Sequence, residues 1–132
     1  MKVMPITVAL IRRTDGRVLL VRKRGTETFI QPGGKIEQGE DARTALSREL
    51  MEELSFDVQS DHLNYIGNAT APAANEPGVT VFANIFEIRC NTEIIVGAEI
   101  DEAVWINPRD PKNLILAPLT RDHILPLAIE IA

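Results

Sequence analysis

Apolar residues in this chain fall into short β-rich runs, interrupted once by a stretch of helical spacing. Ile6 to Ile11 and Val18 to Val21 are rich in branched residues and predict two strands. Thr14-Asp15-Gly16 between them predicts a hairpin turn. Phe29-Ile30 predicts a short strand leading into Gln31-Pro32-Gly33-Gly34, a loop whose backbone can approach a ligand closely. From Asp41 to Leu54 the period changes, because Ala42, Ala45, Leu46, Leu50 and Leu54 make one helical stripe. Strands are predicted again over Leu63 to Thr70 and Val79 to Ile88, separated by the breaker-rich loop Ala71 to Gly78. Glu93 to Val96 and Ala103 to Ile106 predict two further short strands. Pro108-Arg109-Asp110-Pro111 breaks the chain, and Thr120 is placed to cap a last helix reaching about Ile131. Pro126 is expected to kink or divide that helix.

Strands with one helix in the middle and one at the end predict an α/β or α+β sandwich, with helices flanking a mixed sheet. No repeat, low-complexity segment or linker divides the chain, so residues 1–132 are expected to form one domain. Composition adds exclusions. Hydrophobic content of 45% and charged content of 25% are those of an ordinary soluble protein. A net charge of −5 argues against nucleic-acid polymers and membrane surfaces as partners. No apolar run approaches the roughly 18 residues of a membrane span. The first eight residues lack the apolar core and cleavage site of a signal peptide. The single Cys90 has no partner for an intramolecular disulfide, which fits a reducing cytoplasm.

The candidate chemistry lies on the predicted helix. Glu49, Glu52 and Glu53 are related by i,i+3 and i,i+4 steps and share one side of it. Like charges at that spacing repel by roughly 0.2–0.5 kcal/mol per pair. They also occupy the last turn, where the helix dipole is negative and favours cations. A solvated acidic face is the alternative reading of such a run. A divalent cation would reverse both penalties, and hard carboxylate oxygens are the ligands of Mg²⁺ and Mn²⁺.

The stretch from Gly34 to Phe56 resembles the box of the Nudix hydrolase family, Gly-x5-Glu-x7-Arg-Glu-aliphatic-x-Glu-Glu-x-Gly-aliphatic. Gly34, Glu40, Arg48, Glu49, Leu50, Glu52 and Glu53 match it, and Phe56 stands at the last aliphatic position. Ser55 departs from it, where the family carries a glycine at a helix end that needs positive φ. The resemblance implies the MutT-like Nudix α/β/α sandwich and Mg²⁺-dependent hydrolysis, with Mn²⁺ as a possible substitute. The substrate would be a nucleoside diphosphate linked to another group. By carry-over, Glu49, Glu52 and Glu53 are catalytic residues and metal ligands, with a backbone carbonyl from Gly33. Whichever acid is not committed to metal would serve as general base. Arg48 is assigned to the catalytic set, orienting the acids through Glu52 or Glu40. Relatives recruit another acid from outside the box, and Glu99 fits that placement, with Asp101 and Glu102 as alternatives.

Arg22-Lys23-Arg24 follows the second strand, and cations beside a phosphate site suggest phosphate contacts. Arg24 is favoured, then Arg22, ahead of Lys23. Gly34, Phe29 and the Ala71 to Gly78 loop are expected to line the substrate pocket. Trp105 is read as core, and His62, His123 and Cys90 as surface or packing residues. The substrate expected is a nucleoside triphosphate or related nucleotide, a reading that the short chain favours. Alternatives are ADP-ribose or another nucleotide sugar or dinucleotide, suggested by Pro72 sixteen residues after the box, and a non-catalytic nucleotide sensor. A monomer or homodimer is expected.

Overall fold

The computed structural model describes residues 2–132. Its strands are β1 (Lys2–Arg12), β2 (Val18–Lys23), β3 (Phe29–Ile30), β4 (Gly33–Lys35), β5 (Asn64–Pro72), β6 (Val79–Arg89) and β7 (Ile100–Ile106). Helix α1 spans Ala42–Leu54 and α2 spans Leu125–Glu130. The seven strands form one mixed sheet in which β3, β2, β1, β6 and β5 lie side by side, with β4 paired to β1 and β7 to β2. The longest ladder is β1 on β6, parallel from Lys2↔Val79 to Arg12↔Arg89. The other ladders between these strands are antiparallel.

Strand alternation splits the core into two layers. Ala9, Ile11, Leu19, Val21, Phe86 and Ile88 pack with Leu46, Leu50 and Leu54 of α1. Val8, Leu10, Val18, Ala83 and Ile85 face the other way, onto Leu119, Ile124 and Ala128 of the C-terminal helical segment. Neighbouring residues of β1 thus serve opposite faces, which is why its second half reads as a continuous apolar run. The result is the expected sandwich with helices on both faces of a mixed sheet. Among the described residues no helix is long and apolar enough to cross a membrane.

Three expectations need correction. Gly33 and Gly34 belong to β4, where they pair with Val8 and Thr7, so only Gln31-Pro32 remains loop. Glu93 to Val96 is not a strand. Its N–H groups turn to the end of α1: Ile95 donates to the Leu54 carbonyl at 3.1 Å and Gly97 to the Glu53 carbonyl at 2.7 Å. These are carbonyls that a helix C-terminus leaves without partners, so this strap caps the helix and joins no ladder. Thr120 does not cap the last helix. Helical backbone already holds at 118–119, and the Arg121 N–H donates to the Ala117 carbonyl at 2.9 Å. Thr120 lies inside, fully buried. The expected division at Pro126 is present, as a π-helical turn over Thr120–Ile124 that runs into α2.

Candidate active site

Asp41 starts α1, its Oδ1 accepting the Thr44 N–H at 2.8 Å. The apolar stripe then fixes the rotation of the helix. Leu46, Leu50 and Leu54 are fully buried against the sheet, which carries Glu49 and Glu53 to the edge where β4 crosses β1. Ser55 ends the helix in the left-handed region, at φ 52° and ψ 32°. The Ser55 N–H reaches the Met51 carbonyl at 3.1 Å, the left-handed type of helix exit built on serine, and the Phe56 N–H reaches the Leu50 carbonyl at 3.2 Å.

The two glycines of β4 make room for the acids. Gly33, at φ +142°, donates its N–H to Glu53 Oε1 at 3.2 Å, and a Cβ there would collide with the Thr7 carbonyl. At Gly34 a Cβ would stand 2.5–2.8 Å from the carboxyl atoms of Glu49, nearer than real contacts allow. The Glu49 carboxylate therefore rests on the bare backbone of Gly34. A third close approach occurs at Gly97, where a Cβ would meet the Glu52 carbonyl, so the strap too presses on the turn that carries the acids.

Arg48 organises the outer side of the cluster. Its Nε and Nη2 donate to both Glu40 oxygens at 2.8 and 2.9 Å, and Nη1 donates to Glu49 Oε1 at 3.0 Å. Glu52 Oε2 lies 3.6 Å away. The fork on Glu40 holds that carboxyl down at about 2. Of the two partners expected for Arg48, Glu40 is held in a fork and Glu52 lies farther off.

Burial separates the three glutamates. Glu53 is 5% exposed, and burial pushes its carboxyl up to about 7. The Gly33 N–H and the Lys23 ammonium pull it down, while Glu49 and Glu52 push it up. Glu49 is raised less, because Arg48 opposes the desolvation. Glu52 is exposed. Among the described residues no three acidic, histidine or cysteine side chains already close on one point. The donors nonetheless suit a hard dication: carboxylate oxygens, those of Glu53 buried and its carboxyl raised by that burial to about 7.

The cleft beside these acids, about 150 Å³, is lined by Lys23, Gln31, Gly33 and Gly34 at one end. Apolar residues of β1 and β6, the 72–76 segment, Ala117 and Leu119 line the rest. Lys23 is the cation that faces Glu49 and Glu53, although the sequence ranks it below its neighbours. Arg22 is engaged elsewhere, donating to the Thr26 carbonyl at 2.7 Å and pairing with Asp101 and Glu102. Arg24 is exposed and reaches only the Ala98 carbonyl, at 3.4 Å. Phe29 is a correction: it is buried with Leu20, Ile106 and Leu125 and does not line the cleft. Glu99 is exposed, two residues beyond the strap's contact with Glu53, without a side-chain bond to the cluster. Trp105 packs against the α1-side core under the Arg13 guanidinium, 4.5 Å from its ring.

Of the residues lining the cleft, Lys23 was ranked last of its three cations by the sequence and Gln31 was not singled out. A signal for Lys23 was present. Leu19 and Val21 face α1, so the two-residue period of β2 brings Lys23 to the same face. No comparable pattern marks Gln31.

Solved structures share this architecture. A MutT NUDIX hydrolase from Burkholderia pseudomallei superposes with a TM-score of 0.76 at 23% identity, over 98% of each chain. The MutT protein of Methanosarcina mazei Go1 gives 0.80 at 19% identity, over 98% of this chain and 95% of its own. The dihydroneopterin triphosphate pyrophosphohydrolase of E. coli gives 0.78 at 21% identity, over 98% and 99%. At these identities the likeness is one of fold. Among proteins of curated function, none matches in sequence. The NUDIX domain profile matches residues 2–127, nearly the whole chain. With the carboxylates, arginine and glycines of the box assembled at one edge of the sheet and the profile matched along nearly the whole chain, the chain belongs to the NUDIX family.

Proposed function

We propose that the protein is a Mg²⁺-dependent pyrophosphohydrolase acting on a nucleoside triphosphate or a related nucleotide. The observation that carries this reading is the pairing of the buried Glu53 with an open cleft that Lys23 and the glycines border. Glu49 and Glu53 would hold the metal, with the exposed Glu52 and Glu99 as the acids available to complete its shell and the Gly33 carbonyl as a further ligand. Bound Mg²⁺ supplies charge neutralisation and a more acidic water. The chain supplies the rest. Arg48 keeps Glu49 in place, and the Gly33 N–H fixes one oxygen of Glu53. Lys23 adds positive charge where the phosphates would enter. The glutamate oxygen left free of metal accepts the proton of the attacking water.

The E. coli structural neighbour named for dihydroneopterin triphosphate cleavage supports a triphosphate as substrate class. The cleft also favours a ring, since most of its lining is apolar. The test is a panel of nucleoside triphosphates, sugar nucleotides and dinucleotides incubated with Mg²⁺ and with chelator. Mg²⁺-dependent release of pyrophosphate or phosphate, strongest with triphosphates, is the expected outcome. Cleavage of sugar nucleotides alone would move the substrate class, and no cleavage of any would refute the hydrolase reading.

A further inference from the structure

One buried polar side chain in the cleft plays no part in the chemistry above. Gln31 is 5% exposed and lines the cleft immediately before Pro32 and β4. Its Oε1 accepts the hydroxyl of Thr120 at 2.6 Å. Thr120 is fully buried within the π-helical turn, so the sheet and the C-terminal helical segment together hold this bond. A primary amide has its acceptor on one branch and two N–H donors on the other. With the oxygen facing Thr120, the Nε2 branch is turned away from it and has no partner among the described residues. Nor is it sealed off: the sealed, unpartnered side-chain atoms among the described residues are Arg13 Nε and Ser47 Oγ. The donors of Gln31 therefore open into the cleft, beside apolar residues such as Ile6, Val81 and Leu119, in a lining whose other polar side chains are Lys23, Lys35, Asn75 and Glu76.

We propose that Gln31, oriented by Thr120, determines specificity in this cleft and selects nucleotides that carry a carbonyl at the purine 6- or pyrimidine 4-position over those that carry an amino group there. The inference rests on the nucleotide-hydrolase reading and refines its substrate class. An apolar trough takes a flat ring by burial and cannot itself tell one ring edge from another. The Gln31 amide can. A ring carbonyl satisfies its N–H. A ring amino group sets donor against donor, leaves both unpaired away from water and forfeits affinity. Guanine and thymine or uracil nucleotides are then substrates of the favoured class, adenine and cytosine nucleotides of the other.

The experiment compares dGTP with dATP and dTTP with dCTP, pairs matched in ring size, by kcat/KM with Mg²⁺ and by calorimetric Kd with the Glu53→Gln variant. The carbonyl partner should lead by about tenfold in each pair. Gln31→Leu should abolish the preference. Thr120→Val, which frees the amide to turn, should weaken it, and Thr120→Ser, which keeps the hydroxyl, should restore it. Equal kcat/KM and equal Kd within both pairs would overturn the proposal, as would a preference that survives Gln31→Leu. Carbonyl-selective binding without turnover would uphold the selectivity and overturn the hydrolase reading alone.

Discussion

Glu53 holds a conflict that the fold creates and does not relieve. Its carboxyl sits near 7 in the folded chain because it is buried, against 4.5 for an exposed glutamate. Between those values the folded chain holds a proton that the unfolded chain has released. Stability of the metal-free protein is therefore greatest below about pH 4.5 with respect to this group and falls as pH rises through about 7, by something on the order of 3 kcal/mol. Glu53→Gln keeps the acceptor for the Gly33 N–H and removes the titration. Urea unfolding in chelator should show the variant gaining on wild type from pH 5 to pH 8. A gap that is the same at both pH values would mean that Glu53 is not held protonated. Other residues show how far sequence carries at this scale. The match of Arg48 to Glu40 was legible because both are fixed by motif spacing. Phe29 was not, because an aromatic beside a cleft and one in the core look alike in sequence. Nor was it legible that Lys23, ranked behind Arg24 and Arg22 for phosphate contact, is the one of the three that faces the acids. The choice turns on strand alternation and on the register shift that the β2–β7 ladder makes between Arg22 and Lys23.

At the scale of elements, α1 is the part read most fully from sequence. Its stripe and Asp41 start follow from local spacing, and the positive-φ exit at Ser55 from the resemblance to the family box. The strap over residues 91–99 was not legible. Its Ile94-Ile95-Val96 run has strand composition, but the open carbonyls of α1 compete for its N–H groups and win. The last helix was misplaced at its start for a similar reason: Thr120 has the chemistry of a cap, yet its hydroxyl is used on Gln31, 89 residues away. The Ser55 exit supports a prediction about α1. Serine in the left-handed region carries a Cβ penalty that glycine lacks, and its side chain is exposed. Glycine costs more unfolded-state entropy, so Ser55→Gly should stabilise the protein by about 1 kcal/mol at most. The shift would be read as a higher urea midpoint at unchanged m-value. A lower midpoint would show that residue 55 does not hold positive φ in solution.

At the scale of the molecule, the sandwich was legible because strand and helix periods decide layers. The cleft was not, because its walls come from residues 4–8, 23–35, 72–76 and 117–119, which only the finished sheet brings together. The acids, by contrast, lie on one helix and were found without the fold. The central claim is that this helix edge, with β4 behind it and the cleft beside it, is a metal-dependent hydrolytic centre. Its most direct test is the Mg²⁺-dependent turnover of Glu53→Gln on the best triphosphate of the panel, with the circular dichroism spectrum as the control for folding. The account predicts turnover lower by several orders of magnitude in a folded protein; turnover equal to wild type would contradict it.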